Sequence, residues 1–178
     1  MNDPRNQPQY QVRFGCGRLQ ALELSPGADV LVWVDALADG STPAPKSPVP
    51  ELPGTFSILA AGTGAAAAVA EWVITQQELR GDRVTVAVVA AGDPLGGFAV
   101  DDFLAAGAII DALADAGVDY ISPEAASAVA AFTALKPAHN HLLSASAAGQ
   151  QHIQDAGRAS LDAAIVSNSA ASLVIVRE

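Results

Sequence analysis

Alternating β-type and helical segments in this 178-residue chain predict an α/β fold, a three-layer α/β/α arrangement with a mostly parallel sheet. Three observations carry that expectation. Short Val-rich apolar runs bounded by turn residues recur along the chain. Longer Ala-rich stretches with helical spacing lie between them. Apolar residues make up 51% of the chain but aromatics only 5%, and such small side chains suit helices packed closely on a sheet.

The elements follow in order. Residues 1–11, rich in Asn, Pro and Gln, read as a disordered tail without a signal-peptide core, and residues 12–178 as one α/β domain. Val12 to Leu24 holds two short β-like runs around Gly15-Cys16-Gly17. The near-continuous apolar run Val30 to Val34 reads as a buried central strand that ends at Asp35. Five prolines between Asp39 and Gly54 forbid regular structure, which makes about 39–54 a connector. Phe56 to Ala61 is expected as a strand, Ala65 to Leu79 as a helix and Gly81-Asp82 as a turn. Arg83 to Ala91 is the next strand, followed by a loop over Gly92 to Gly97. Val100 to Ala116 reads as a helix, with Phe103, Ile110 and Leu113 on one face and Gly117 as its C′ residue. Val118 to Ser122 is a further strand. Pro123 to Leu135 is a helix with proline in its first turn. Leu142-Leu143 reads as a short strand, and Ala147 to Ala156 as a helix closed by Gly157. A helix over Ser160 to Val166 and a strand over Leu173 to Val176 complete the chain. There is no internal repeat.

Composition narrows the function. Nineteen acidic against nine basic residues give a net charge of −10, which disfavours nucleic acid and anionic membrane as partners. The single Cys16 excludes an intramolecular disulfide and a Cys-based zinc site. No apolar segment reaches membrane-span length, and a cytoplasmic protein is the expectation.

Several residue groups could carry chemistry. Gly62-Thr63-Gly64 breaks a strand into a helix, placing unpaired backbone N–H groups beside a hydroxyl, a corner suited to phosphate. The plainer reading is a tight turn. Strict nucleotide-binding motifs are missing, which weakens a generic nucleotide-binding module. Asp35, Asp93, Asp101 and Asp102 fall at strand ends or a helix start, where the ligand crevice of a parallel sheet lies. Such oxygen ligands suit Mg²⁺, whereas for Asp101 and Asp102 helix capping is the plainer reading, and Asp35 is less easily explained by capping. His139 and His141 would share a face on a strand and could ligate a transition metal, or lie in a polar loop. His152 reads as exposed on its helix. Cys16, between two glycines, is either a nucleophile or a small thiol in a turn.

Four segments resemble the 2-phosphosulfolactate phosphatase family, Mg²⁺-dependent hydrolases that remove phosphate from 2-phosphosulfolactate on the way to coenzyme M. Val30 to Leu37 is similar to the family's strand ending in Asp-Val-Leu-Arg-Ala. Ala61-Gly62-Thr63 with the following Ala-rich helix is similar to its Thr-Asn-Gly-Thr corner. Val89 to Gly92 and Phe98 to Ala108 are similar to its Cys-x-Gly strand end and Glu-Asp-x-x-x-Ala-Gly helix. Ser146 to Asp162 is similar to its C-terminal Ser/Gly pattern. Ala38, Ala61, Ala90 and Asp101 stand where the family has Arg, Asn, Cys and Glu, and the Pro-rich stretch replaces a further acidic and Gly-Asn segment.

The resemblance implies an Mg²⁺-dependent phosphatase acting on a small phosphate ester like 2-phosphosulfolactate. Asp35, Asp101 and Asp102 would hold the metal, Asp35 and Asp102 would be catalytic, and Gly62, Thr63, Gly64 and Gly92 would bind the phosphate. The missing Arg and Asn, natural partners for a dianion, imply slow catalysis unless Lys46 or Arg158 folds back into the site. The alternative is a catalytically impaired member acting as a binding or assembly protein, since abundant Ala suits close packing of subunits in a homodimer.

Overall fold

The computed structural model describes residues 3–37, 57–93, 97–169 and 173–177. The Pro-rich connector expected at about 39–54 lies outside them. Within them, five strands form one sheet: β1 (Val12–Cys16), β2 (Val30–Val34), β3 (Ser57–Ala61), β4 (Val86–Ala90) and β5 (Val174–Arg177). Their spatial order is β1-β4-β2-β3-β5. The first four are mutually parallel, and β5 joins β3 antiparallel at the edge. The mostly parallel sheet expected from the strand–helix alternation is therefore present.

The helices are α1 (Gly17–Leu24), α2 (Ala66–Arg80), α3 (Val100–Asp115), α4 (Pro123–Leu135), α5 (His139–Ala145), α6 (Ala147–Ala156) and α7 (Arg158–Ser169). Alternation along the strands divides the core. Val30, Val32 and Val34 of β2 and Val86 and Val88 of β4 face α2, α3 and α4, through residues such as Val69, Val73, Ile109 and Ala128. Leu31, Trp33, Ala87 and Val89 point the other way, against Ala21 and Leu24 of α1. Helices cover both faces, as expected, but unequally.

Helix α3 organises the thicker layer. Every residue from Leu104 to Ile110 is buried, and the helix packs against both α2 and α4. That two-sided contact needs small residues. A Cβ on Gly107 would collide with the backbone carbonyl oxygen of Ala128 in α4.

Three expected segments are corrected. The second β-like run around Cys16 is α1: Gly17 takes φ +73°, the chain turns, and Ala21 and Leu24, three apart, bury one helical face. Val118–Ser122 is no strand; it meets β1 through one parallel bridge, Val12 to Ile121. It stops there because Ser122 turns its Oγ to accept from Ala125 N at 3.1 Å, capping α4 ahead of Pro123. Leu142-Leu143 lies inside α5.

The N-terminal residues also differ from an unstructured tail over 3–11. Pro4–Asn6 forms a 3₁₀ turn, and the buried Gln7 pairs with the Phe14 backbone through Nε2 to O at 2.8 Å and Phe14 N to Oε1 at 3.0 Å. These bonds, with those from Gln11 N and Val12 N to Tyr120 O, cover the outer edge of β1. Arg13, 4% exposed, donates to the Leu24 and Pro26 carbonyls at 3.3 and 3.0 Å and so holds the end of α1.

Two substitutions test this packing. Gly107→Ala is expected to destabilise the protein by about 1–3 kcal/mol, the usual cost of overpacking a core. Arg13→Met should cost about 1–3 kcal/mol by leaving buried carbonyls unpaired. Both are read from urea unfolding midpoints, and wild-type midpoints would contradict the packing described.

Candidate active site

The strand register brings the expected site residues to one edge. Val34 is level with Ala61 on β3 and with Ala90 on β4. Asp35, Gly62 and Ala91 therefore leave the sheet side by side, at its carboxyl end. This is where a parallel sheet offers loops and helix N-termini to a ligand.

Helix α3 begins above that edge, and Asp102 in its first turn ties the edge together. Its Oδ1 accepts from Ala36 N and its Oδ2 from Gly92 N, each at 2.8 Å. One carboxylate thus fixes the loops after β2 and β4 to α3. Asp102 is neither a cap of its own helix nor a side chain turned to solvent; it is 4% exposed. Gly92, at φ +78°, presents its N–H to Asp102, so that amide, expected among the phosphate donors, is already engaged. The loop is closed again by Asp93 N donating to Gly97 O at 2.9 Å.

Around this clamp lies a cavity of about 750 Å³ lined by Asp35, Gly92, Asp101, Asp102, Ser146 and His152, with Asp93, Gln151 and Asp155. Asp35 and Asp101 are buried, at 6% and 3% exposure. Burial first, then the charges of Asp101 and Asp35, push the Asp102 carboxyl up to about 8, against the pull of its two amide bonds. Among the described residues, no group of three or more His, Cys, Asp or Glu side chains is arranged to hold a metal ion. Mg²⁺ is commonly held by one or two carboxylates plus substrate phosphate and water. Asp35 and Asp101 fit that smaller set: hard oxygen donors whose crowded negative charge a cation would relieve.

The Gly-Thr corner is present but turned partly away. Thr63–Ala65 forms a 3₁₀ turn leading into α2, with Gly62 extended before it. Gly64, Ala66 and Ala67 open onto a second cavity of about 580 Å³, shared with Asp111, Lys136 and His139. Gly62 remains beside Asp35 across the β2–β3 pair. The Thr63 side chain lies outside what the structure describes.

Other candidates resolve differently. On α5, His139 and His141 point about 200° apart around the helix axis instead of sharing a face. The ring of His139 packs edge-on to Phe132, and burial lowers its pKa. Cys16 is partly buried, and burial together with the Asp102 charge holds its thiol above the ordinary range, which disfavours a nucleophile. Arg158 is exposed and paired with Asp162 at 2.8 Å, and Lys46 lies outside the described residues.

His152 is the residue that sequence reasoning missed. Expected on the surface, it is 8% exposed, and its Nε2 lies 3.0 Å from Ser160 Oγ on α7. A signal existed: Gly149, His152 and Ile153 follow helical spacing, so an inward Gly149 and Ile153 carry His152 inward too.

A family model described as 2-phosphosulpholactate phosphatase matches residues 55–178, from just before β3 through the remaining chain. The match includes Asp101, Asp102 and His152, whereas Asp35 precedes it. No curated protein and no solved structure matches the chain. Among the described residues, no helix is long and apolar enough to cross a membrane.

The Asp102 environment sets a pH dependence. The folded chain holds the Asp102 proton up to about pH 8, whereas the unfolded chain releases it near the ordinary value of 3.8. Between those values the folded state binds more protons, so stability falls as pH rises from about 4 to about 8. The melting temperature of the metal-free protein is expected to drop across that window, with a smaller drop in Asp102→Asn. An equal pH slope in both proteins would contradict the assignment.

Proposed function

The chain belongs to the 2-phosphosulpholactate phosphatase family, and on that footing we propose that it is an Mg²⁺-dependent phosphatase acting on a small organic phosphate ester resembling 2-phosphosulfolactate. The observation that carries the reading is the buried pair Asp35 and Asp101 in one cavity at the carboxyl edge of the sheet. In the proposal these two carboxylates hold the metal. Bound there, Mg²⁺ would polarise the phosphoryl group and lower the pKa of a water.

The chain's own residues do the rest. Asp102 acts as a positioning residue: its bonds to Ala36 and Gly92 hold the loop that carries Asp35 against the helix that carries Asp101. The amides of Gly62 and Thr63, at the same edge as Asp35, are the backbone donors assigned to the phosphate. They belong to the first turn before α2, where N–H groups lack partners within the helix. A cavity this acidic would repel a phosphate dianion unless a cation balances it, which is why the proposal requires the metal.

The test is a steady-state assay on 2-phosphosulfolactate and a panel of phosphate esters, with and without Mg²⁺. Slow turnover that needs Mg²⁺ is expected, and Asp35→Asn and Asp101→Asn should each lower it by about a hundredfold or more. Turnover that survives EDTA would overturn the metal assignment. A readout without turnover accompanies it: Mg²⁺ should raise the melting temperature more at pH 8 than at pH 5, because it relieves the crowding around Asp102. Binding of phosphate with no turnover of any ester would favour the impaired, binding-protein reading.

A further inference from the structure

The carboxylate cavity contains an imidazole that the mechanism above leaves unused. His152 sits in its wall, on α6, opposite in character to everything else there that ionises. The described lining residues include five carboxylates, those of Asp35, Asp93, Asp101, Asp102 and Asp155. Among those lining residues, His152 is the one side chain able to carry positive charge or give up a proton as a cation. Its position is built. The residue is 8% exposed, and Ser160 Oγ, 3.0 Å from Nε2, fixes its orientation from the next helix. Gly149, one turn earlier, lets α6 press against α5, since a Cβ there would strike the Leu143 carbonyl oxygen. Close approach of α6 to the fold is what brings His152 to the cavity.

Resting on the phosphatase reading, we infer that His152 is a catalytic residue, the acid that protonates the leaving alcohol. Hydrolysis of an alkyl phosphate breaks the bond between phosphorus and the ester oxygen and forms one to a water oxygen. The departing alkoxide is a poor leaving group and takes a proton from the imidazolium. The attacking water keeps one proton as it joins phosphorus and releases the other to solvent, from which the imidazole is protonated again. The products are the alcohol and hydrogen phosphate, and His152 ends in its starting state. Ser160 is a positioning residue that aims the ring.

This role predicts a dependence on the leaving group that a structural role would not produce. p-Nitrophenolate departs without a proton, whereas the secondary alkoxide of glycerol 2-phosphate does not. His152→Gln and Ser160→Ala are compared with wild type on both esters in saturating Mg²⁺. For His152→Gln, the loss of kcat on glycerol 2-phosphate is expected to be about a hundredfold or more, and at least tenfold greater than the loss on p-nitrophenyl phosphate. Ser160 is exposed, so Ser160→Ala should keep the fold and show the same bias more weakly. Equal losses on the two esters in both variants, in a protein whose wild type hydrolyses both, would overturn the role of His152 and leave the phosphatase reading standing. A wild type that hydrolyses neither these esters nor 2-phosphosulfolactate would remove the phosphatase reading, and this role with it.

Discussion

One carboxylate holds the carboxyl edge of this protein's sheet together. Asp102 reaches from the first turn of α3 to the amides of Ala36 and Gly92, which follow two neighbouring parallel strands. A parallel sheet splays its loops at the carboxyl edge, where the backbone ladder ends with Ala91 N donating to Val34 O at 2.8 Å. The Asp102 side chain supplies the next link. Both amides are buried beside it, so losing the acceptor would leave donors without partners, a cost of about 1–3 kcal/mol each. Asp35 and Gly92 owe their relative positions to this contact.

The same contact explains the electrostatics. Asp102 can reach the two loops only by entering a space that Asp35 and Asp101 also occupy. Three carboxyl groups then share a poorly solvated site, and Asp102, buried and flanked by the charges of the other two, retains its proton to about pH 8. The fold accepts this unfavourable crowding at a place where a bound cation would relieve it. Structural ties and chemistry are not separable here, because α3 brings Asp101 and Asp102 together as consecutive residues.

Packing above the sheet makes that geometry possible. Small side chains along α3, above all Gly107 against Ala128, let α2 and α4 flank it closely. On the C-terminal side, Gly149 does the same for α5 and α6. Gly107 and Gly149, part of a composition that alone marks only a tendency to pack tightly, stand at the contacts that carry the α3 carboxylates and His152 to one cavity.

The sequence by itself determined the alternation of strands and helices from β2 to α4 and the sheet edge at which Asp35 lies. Strand β2, helices α3, α4 and α6, and the Gly117 and Gly157 breaks are legible because periodicity and backbone freedom are local properties. The convergence of Asp35, Asp101 and Asp102 was legible too, since parallel strands place their ends at one edge. Tertiary structure alone decided the rest. The run after Cys16 became α1 because the underside of the sheet needed an apolar cover, and a residue pattern that short does not distinguish helix from strand. The segment over Val118–Ser122 lost its strand to the cap of α4. His139 and His141 diverged because a helix rotates alternate residues apart. His152 turned inward because its helix packs on two neighbours. Each outcome depends on which surfaces meet, and contacts between distant segments leave no trace in the spacing of neighbouring residues.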